Sequence, residues 1–590
     1  MKKLSFERGA FIATFCIFLS KILGLLYVIP FYAIIGEQAG ALYSYAYIIY
    51  AIFLSISTAG IPTAISKLTS EYETLNMKEA KTRMFYISIK FINYLSIVIF
   101  FLLMIFAPII AKFIIGDATG GNTVQDVSLV IRSISFAILT VPYLSVARGY
   151  LQGHRYISIT SWSQVIEQLV RVLVVVLGSY VVIYLLKLSE VTAITVAVFG
   201  AFVGAIGSRI YIRHYLKKDH DSLFVNDSKK DDISDKEIIK KIISYAFPYI
   251  VISLLYSVYT FVDVIIINRV LYNVVGYSQD VVETIISTYS TWGEKLQMII
   301  TSIATGIAIS LIPNLVRHFV GKDKKSLNDT FNKAILIVIY IGMPLAILIS
   351  IFSGTVWNVF YGHSYYGPLT MKLFIFVAVA ASLENVCSSS LQAMNKFKVL
   401  YKSVIIGVLL NAILDAPLMI VFYKLGVYPV YGAMVSSIIG FMTICFITLY
   451  YLKKEEGLSF KSIYITVLRL LIPFVILIGV SVLFKCFIPD SLNNRLMSVL
   501  YACLYFGVGL LIYFGVTIKQ GTFYDILNDL LPDRFKRSVK WWEHLKYLLI
   551  SLEKLILIDL IFLLIILQRK IISRFLMLSL IWLGIFLSIR

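Results

Sequence analysis

Three polar side chains stand where a hydrophobic chain can least accommodate them. Asp263 lies in Thr260-Phe261-Val262-Asp263-Val264-Ile265, and Asn411 and Asp415 lie in Asn411-Ala412-Ile413-Leu414-Asp415-Ala416-Pro417, both inside long apolar runs. The four-residue spacing puts Asn411 and Asp415 on one helix face, a turn apart. An Asp at the centre of a membrane helix opposes insertion by about 2.5 to 3.5 kcal/mol, so neither acid belongs against lipid. Two carboxylates and an amide, with no basic residue near them in the same runs, offer oxygen ligands to a small coupling cation, Na⁺ or H⁺. The alternative is that they bond to neighbouring helices and only fix packing.

Basic side chains raise the opposite possibility. Lys21, in Ser20-Lys21-Ile22-Leu23-Gly24, and Lys295, beside Glu294 in Trp292-Gly293-Glu294-Lys295-Leu296, sit inside apolar runs. In a cleft, two ammonium groups suit an anionic headgroup such as a diphosphate. Otherwise Lys21 snorkels to the near interface, and Lys295 pairs with Glu294 or meets the outer leaflet. Glu167 and Arg171 are spaced i, i+4 and read first as an internal ion pair that serves architecture. Motifs for catalysis are lacking: there is no GxxxxGK loop, HExxH or GxSxG, and the six histidines fall in loops or tails. The expectation is a protein that is not an enzyme, holds no resident cofactor, and draws on an ion gradient, the membrane potential or its substrate gradient.

The elements that position these residues follow from composition. With 59% hydrophobic and 15% charged residues and a mean hydropathy of +0.87, the chain is an integral membrane protein. Apolar runs of about twenty residues suit helices crossing a hydrocarbon core of roughly 30 Å, so the fold class is all-α. Spans are expected near 9–35, 41–66, 85–115, 127–149, 162–186 and 190–212, then 242–270, 285–316, 332–360, 370–394, 402–424 and 431–452, with two more near 464–487 and 496–518. The first is too long for a signal peptide's apolar region and is expected to persist in the mature protein. Five cysteines without a CxxC pair read as core packing and not as disulfides or zinc ligands.

The first twelve spans are one unit written twice. Leu151-Gln152-Gly153 returns as Leu391-Gln392-Ala393, and Gly60-Ile61-Pro62-Thr63-Ala64-Ile65-Ser66 has a looser echo in Gly306-Ile307-Ala308-Ile309-Ser310. Such duplication is the ground plan of alternating-access transporters, with the working site between the halves. Lys and Arg crowd the loops after spans two, four and six and are missing from Gly36 to Gly40, Gly116 to Asp126, Leu271 to Glu283 and Tyr361 to Leu369. The positive-inside rule then places the amino terminus and the central loop in the cytoplasm of a plasma-membrane protein. Six spans per half keep the same orientation, giving two six-helix lobes, 1–213 and 242–455, around a cleft. Residues 214–241 form a polar tether, and 464–518 two added helices. Residues 519–590 are an extension with an interfacial Trp541-Trp542 segment and two apolar stretches whose spanning is left open. The net charge of +20 is dispersed among short loops, which argues against nucleic acid as a partner.

Ser20-Lys21-Ile22-Leu23-Gly24-Leu25-Leu26-Tyr27, the Leu151 to Arg155 turn, Trp292 to Leu296 leading into Leu311-Ile312-Pro313-Asn314, and Asn411 to Pro417 resemble the multidrug/oligosaccharidyl-lipid/polysaccharide (MOP) flippase superfamily. Within it the chain is most similar to polysaccharide-biosynthesis proteins of the stage V sporulation protein B type, relatives of the lipid II flippases, over residues 1 to about 535. The resemblance implies fourteen helices, two lobes around a V-shaped cavity, and movement of an undecaprenyl-diphosphate-linked sugar to the outer leaflet. In lipid II flippases the first span carries Ser-Arg-x-Leu-Gly-x-x-Arg; here Lys21 and Tyr27 replace the arginines, and Lys295 stands where span eight has another. Asp263, Asn411 and Asp415 match the family's sodium-site pattern. The implied partners are a lipid-linked saccharide and membrane lipids, with cell-wall synthesis proteins as candidates, and the chain is expected to act as a monomer. Rival readings are a cation-coupled multidrug exporter, which does not need the two added spans, and a non-transporting scaffold of a cell-wall synthesis complex, which does not need internal acids.

Overall fold

A computed structural model describes residues 6–116, 120–224, 233–487 and 494–527. The Trp541-Trp542 segment and the apolar stretches after it lie outside the described residues. The first half folds into α1 (Phe6–Leu26), α2 (Val28–Ile35), α3 (Gly40–Thr58), α4 (Ile61–Thr74), α5 (Lys78–Ile115), α6 (Val124–Ile138), α7 (Val141–Gly153), α8 (Ile157–Leu173), α9 (Glu190–Lys218) and a short α10 (His220–Leu223). The second folds into α11 (Asp235–Val270), α12 (Gln279–Ser287), α13 (Gly293–Val320), α14 (Lys324–Ile351), α15 (Ser353–Tyr361), α16 (Tyr366–Ala393), α17 (Phe397–Lys424) and α18 (Val430–Glu455). These helices, with residues 495–502, pack as one unit. A second unit contains α19 (Lys461–Phe487), the rest of α20 (Arg495–Lys519) and α21 (Thr522–Leu527).

The protein is an all-helical, multi-pass membrane protein. Thirteen of the described segments are long and apolar enough to cross a membrane; α13 occupies the place of the expected eighth span without being one of them. Several spans that read as continuous are broken, and proline chemistry explains where. Pro30 lacks the N–H that would bond four residues back, and α1 gives way to α2 at Tyr27. Pro62 and Pro142 stand in the first turns of α4 and α7, just after the breaks at Gly60 and Thr140. The tether is shorter than expected, because α9 runs on to Lys218 and α11 begins at Asp235.

The duplication seen in sequence recurs in backbone detail. After α7 the chain turns with Arg155 at φ 66°, Arg155 N–H bonding the Gln152 carbonyl (2.8 Å) and Tyr156 N–H the Leu151 carbonyl (2.9 Å). After α16 it makes the same turn at Asn395, φ 56°, with Asn395 to Gln392 at 3.0 Å and Lys396 to Leu391 at 2.8 Å. A second matched pair closes α4 at Asn76 and α13 at Lys322.

In the first half, α8 lies against α1 and α9, α6 against α5 and α9, and α7 against α4. In the second, α18 lies against α16 and α17, and α17 also against α11. The halves meet along α11, which packs against α3, α4 and α5, and where α12 packs against α3. Small residues permit the close approaches: a Cβ on Gly407 of α17 would come within 2.8 Å of the Gly440 carbonyl on α18.

Candidate functional site

Between the halves lies a cavity of about 650 Å³, lined from one side by α1, α3 and α8 and from the other by α11, α13 and the π-helical turn Thr288–Trp292. Its charged side chains are Lys21, Arg171, Lys295 and Glu294, three cations against one acid. Lys21 is half-buried on α1. Tyr27, at the α1–α2 break, is 8% exposed, with its hydroxyl 3.3 Å from that of Tyr43. The Lys295 ammonium stands 5.9 Å from the centre of the Tyr27 ring, and Glu294 beside it is open to the cavity. Lys21 and Lys295 form no ion pair among the described residues, so both charges remain available to a ligand.

Arg171 faces two ways. Its guanidinium donates to Glu167 Oε1 at 2.8 Å, as the spacing suggests, while its other side lines the cavity. Glu167 is also held by Arg148, at 2.7 Å to Oε2. Arg148 sits at the end of the expected fourth span and reads from sequence as a loop charge, but α7 continues past it to Gly153 and turns it inward, where Ser163 (2.9 Å) and Ser208 (2.9 Å) complete its bonds. One carboxylate thus serves two guanidinium groups. Gln164 and Gln168 precede Arg171 on the same cavity-facing stripe of α8, and neither stands out in the sequence, since amides at helical spacing are commonplace.

The second half brings Asp263, Asn411 and Asp415 together. All three are buried, at 2%, 1% and 0% exposure. The Asn411 amide donates to Asp263 Oδ1 at 2.6 Å and to Asp415 Oδ2 at 3.3 Å. The hydroxyls of Tyr289 (3.2 Å) and Ser437 (3.3 Å) donate to Asp263 Oδ2, and Ser436 fixes the Asn411 backbone carbonyl (2.8 Å). Asn411 Oδ1 and Asp415 Oδ1 are buried without a hydrogen-bond partner. Two orphaned oxygens beside two carboxylates, with no Lys or Arg in contact among the described residues, are a donor set that fits a hard monovalent cation. None of the three residues lines the central cavity; they stand behind its wall, within the second half.

Both ends of the seam between the halves are tied. At one, Trp292 donates to the Glu37 carbonyl (2.9 Å), Thr291 to the Gly40 carbonyl (2.8 Å), and Gln38 to Asp280 (2.9 Å) and Glu283 (3.2 Å). Ser364 donates to the Glu37 carboxylate at 2.5 Å. Burial pushes the Glu37 carboxyl up to about 7 against the pull of that bond. At the other end Lys241 pairs with Glu71 (3.0 Å), Arg83 with Asp235 (3.4 Å), and Lys67 lies 3.9 Å over the Tyr245 ring.

Comparison with known proteins places this arrangement. The Lipid II flippase MurJ of Bacillus subtilis (strain 168) is 28% identical over 542 residues, 90% of this chain and 98% of that one. Stage V sporulation protein B of the same organism is 27% identical over 172 residues, 29% of this chain and 32% of that one. Among solved structures, lipid II flippase MurJ in an inward closed conformation superposes with a TM-score of 0.65 at 15% identity, covering 88% of this chain and all of that one. A multidrug resistance MATE family transporter of the MOP superfamily, inward-facing, gives 0.57 at 15% identity over 74% and 96%. Residues 6–319 match the family of polysaccharide biosynthesis proteins, and the chain belongs to that family.

Proposed function

We propose that this protein is a flippase that carries an undecaprenyl-diphosphate-linked cell-envelope precursor from the inner to the outer leaflet by alternating access of its two halves. At the coarser level it is a lipid-linked precursor flippase or related MOP transporter, in keeping with its relationship to the Bacillus subtilis lipid II flippase. The observation that carries the finer reading is the excess of cations in the cavity between the halves. Lys21 and Arg171 come from the first half and Lys295 from the second, so a diphosphate bound to all three bridges the halves. Hydrogen bonds to charged groups contribute about 1.5 to 3 kcal/mol each, net of the water they replace. Arg171 supplies a guanidinium, whose planar fork suits phosphate oxygens, in a cavity whose first helix offers only Lys21 and Tyr27. Gln164 and Gln168, each with donor and acceptor, suit the hydroxyls of an attached sugar.

The second half supplies the energy input in this reading. Asp263, Asn411 and Asp415 hold a coupling cation, Na⁺ or H⁺, whose charge offsets one of the two buried carboxylates. One charge crossing the full membrane field contributes about 2.3 kcal/mol per 100 mV.

The test is replacement. The chain is expressed in a strain depleted of its own lipid II flippase, and lipids that co-purify with it are identified by native mass spectrometry. Rescue with a diphosphate-linked saccharide bound supports the reading. Failure to rescue, with only bulk phospholipid bound, removes it.

A further inference from the structure

A buried acid outside both sites calls for its own account. Glu384 lies on α16 at 5% exposure. Its carboxyl Oε1 accepts hydrogen bonds from the Tyr256 hydroxyl of α11 and from the Ser388 hydroxyl one turn along its own helix. Tyr256 and Ser388 also approach each other, at 3.3 Å. Of the described titratable groups, those against Glu384 are Tyr256 and the Cys445 thiol of α18, with Cys387 on α16 next to Cys445. From α13, α14 and α17, which also pack on α16, no acid or base among the described residues hydrogen-bonds or ion-pairs with it.

An ionised carboxylate buried in this way has no cation to offset its lost hydration, a penalty of several kcal/mol even after relaxation. A neutral carboxylic acid has no such penalty and is satisfied by hydroxyl neighbours. Tyr256 gives the acid a way out of the protein interior, because its side chain is part of the wall of the central cavity. The same helix carries Asp263 seven residues further on, so α11 is bonded to α16 through one buried carboxyl and to α17 through another.

We propose that Glu384 is a proton-binding site, distinct from the Asp263, Asn411 and Asp415 cluster, and that Tyr256 connects it to the water of the central cavity. As the Tyr256 hydroxyl passes its proton to the carboxylate it takes one from a hydrated proton in the cavity, leaving water, and the reverse sequence returns the proton to the cavity water. The second half then holds a proton at Glu384 while its neighbouring cluster takes a cation. Ionisation of Glu384 leaves an uncompensated charge at the contact between α11 and α16 and so favours its rearrangement. The inference goes beyond the flippase reading and does not depend on which molecule is carried.

The test is infrared difference spectroscopy of the full-length protein in vesicles of phosphatidylethanolamine and phosphatidylglycerol. Wild type is expected to show a protonated-carboxyl stretch that persists at neutral pH, is lost in Glu384→Gln, and survives in Asp263→Asn. A Glu384→Gln spectrum identical to that of wild type overturns the assignment. In Tyr256→Phe the stretch is expected to remain while its deuterium exchange slows at least tenfold; unchanged exchange overturns the role of Tyr256. Because the readout is a carboxyl vibration, it stands or falls separately from transport.

Discussion

The two halves share a backbone plan yet treat buried charge in opposite ways. In the first half, the buried carboxylate of Glu167 lies between two bases, Arg148 and Arg171, and Lys81, 2% exposed, pairs with Glu73 at 2.6 Å. In the second half, Asp263, Asp415 and Glu384 are buried with hydrogen bonds from amide and hydroxyl groups and, among the described residues, none from a base. Removing one member of a buried ion pair is strongly destabilising because it strands the other, whereas an acid without a base has to find its cation elsewhere. On the reading proposed above, the first half is the frame and the second the half that takes up cations.

The largest expected effect tests the second half. Asp263→Ala or Asp415→Asn is expected to abolish rescue of a flippase-depleted strain at normal protein abundance. Wild-type growth with both would erase the proposed contrast. Next comes the frame. Glu167→Ala leaves two guanidinium groups facing each other and is expected to cost about 3 to 5 kcal/mol of stability, read as a lower thermal midpoint and reduced abundance. A stable Glu167→Ala protein would mean that the first half is not held by its internal charges.

The cavity variants are expected to be milder. Lys21→Ala and Lys295→Ala each remove one charge-assisted contact, which corresponds to roughly ten- to hundredfold weaker binding of a diphosphate lipid at about 1.5 to 3 kcal/mol. Unchanged flipping rates in reconstituted vesicles would take these lysines off the substrate's path. The smallest effect concerns pH. The Glu37 carboxyl, raised to about 7 by burial, holds its proton more tightly when the seam is closed than when it is hydrated. The closed contact is therefore favoured below the hydrated carboxyl range and loses that advantage as pH rises through about 7. Distances between spin labels on the α2–α3 and α15–α16 loops, followed across that range, read it directly; Glu37→Gln is expected to flatten the dependence.

How much of this was legible beforehand depended on contrast. Asp263, Asn411 and Asp415 stood out because they interrupt apolar runs, and an i, i+4 spacing carries its own geometry. Glu384 carried the same signal, an acid inside the expected tenth span, but Ser382, Asn385, Ser388 and Ser389 around it blurred the apolar background. Arg148 was obscured by its place near a span's end, where a basic residue ordinarily marks a loop. Pro30, Pro62 and Pro142 mark the helix breaks, but the apolar runs continue through them and read as unbroken spans. The π-helical turn Thr288–Trp292, which carries Ser290 and Thr291 into the cavity wall, had no comparable mark, since one extra residue in a turn leaves the hydrophobic pattern nearly intact.

At each end of the seam a glycine flanks α3, Gly40 at its first position and Gly60 between it and α4, and is pressed against the other half. A Cβ on Gly40 would fall 2.6 Å from the Trp292 indole nitrogen, and one on Gly60 would fall 2.7 Å from the Ala246 carbonyl. Each end of the seam is therefore closed so tightly that a single added methyl group has no room. Gly40→Ala is expected to push the halves apart at one end of the seam and Gly60→Ala, which also strains a backbone at φ 73°, at the other.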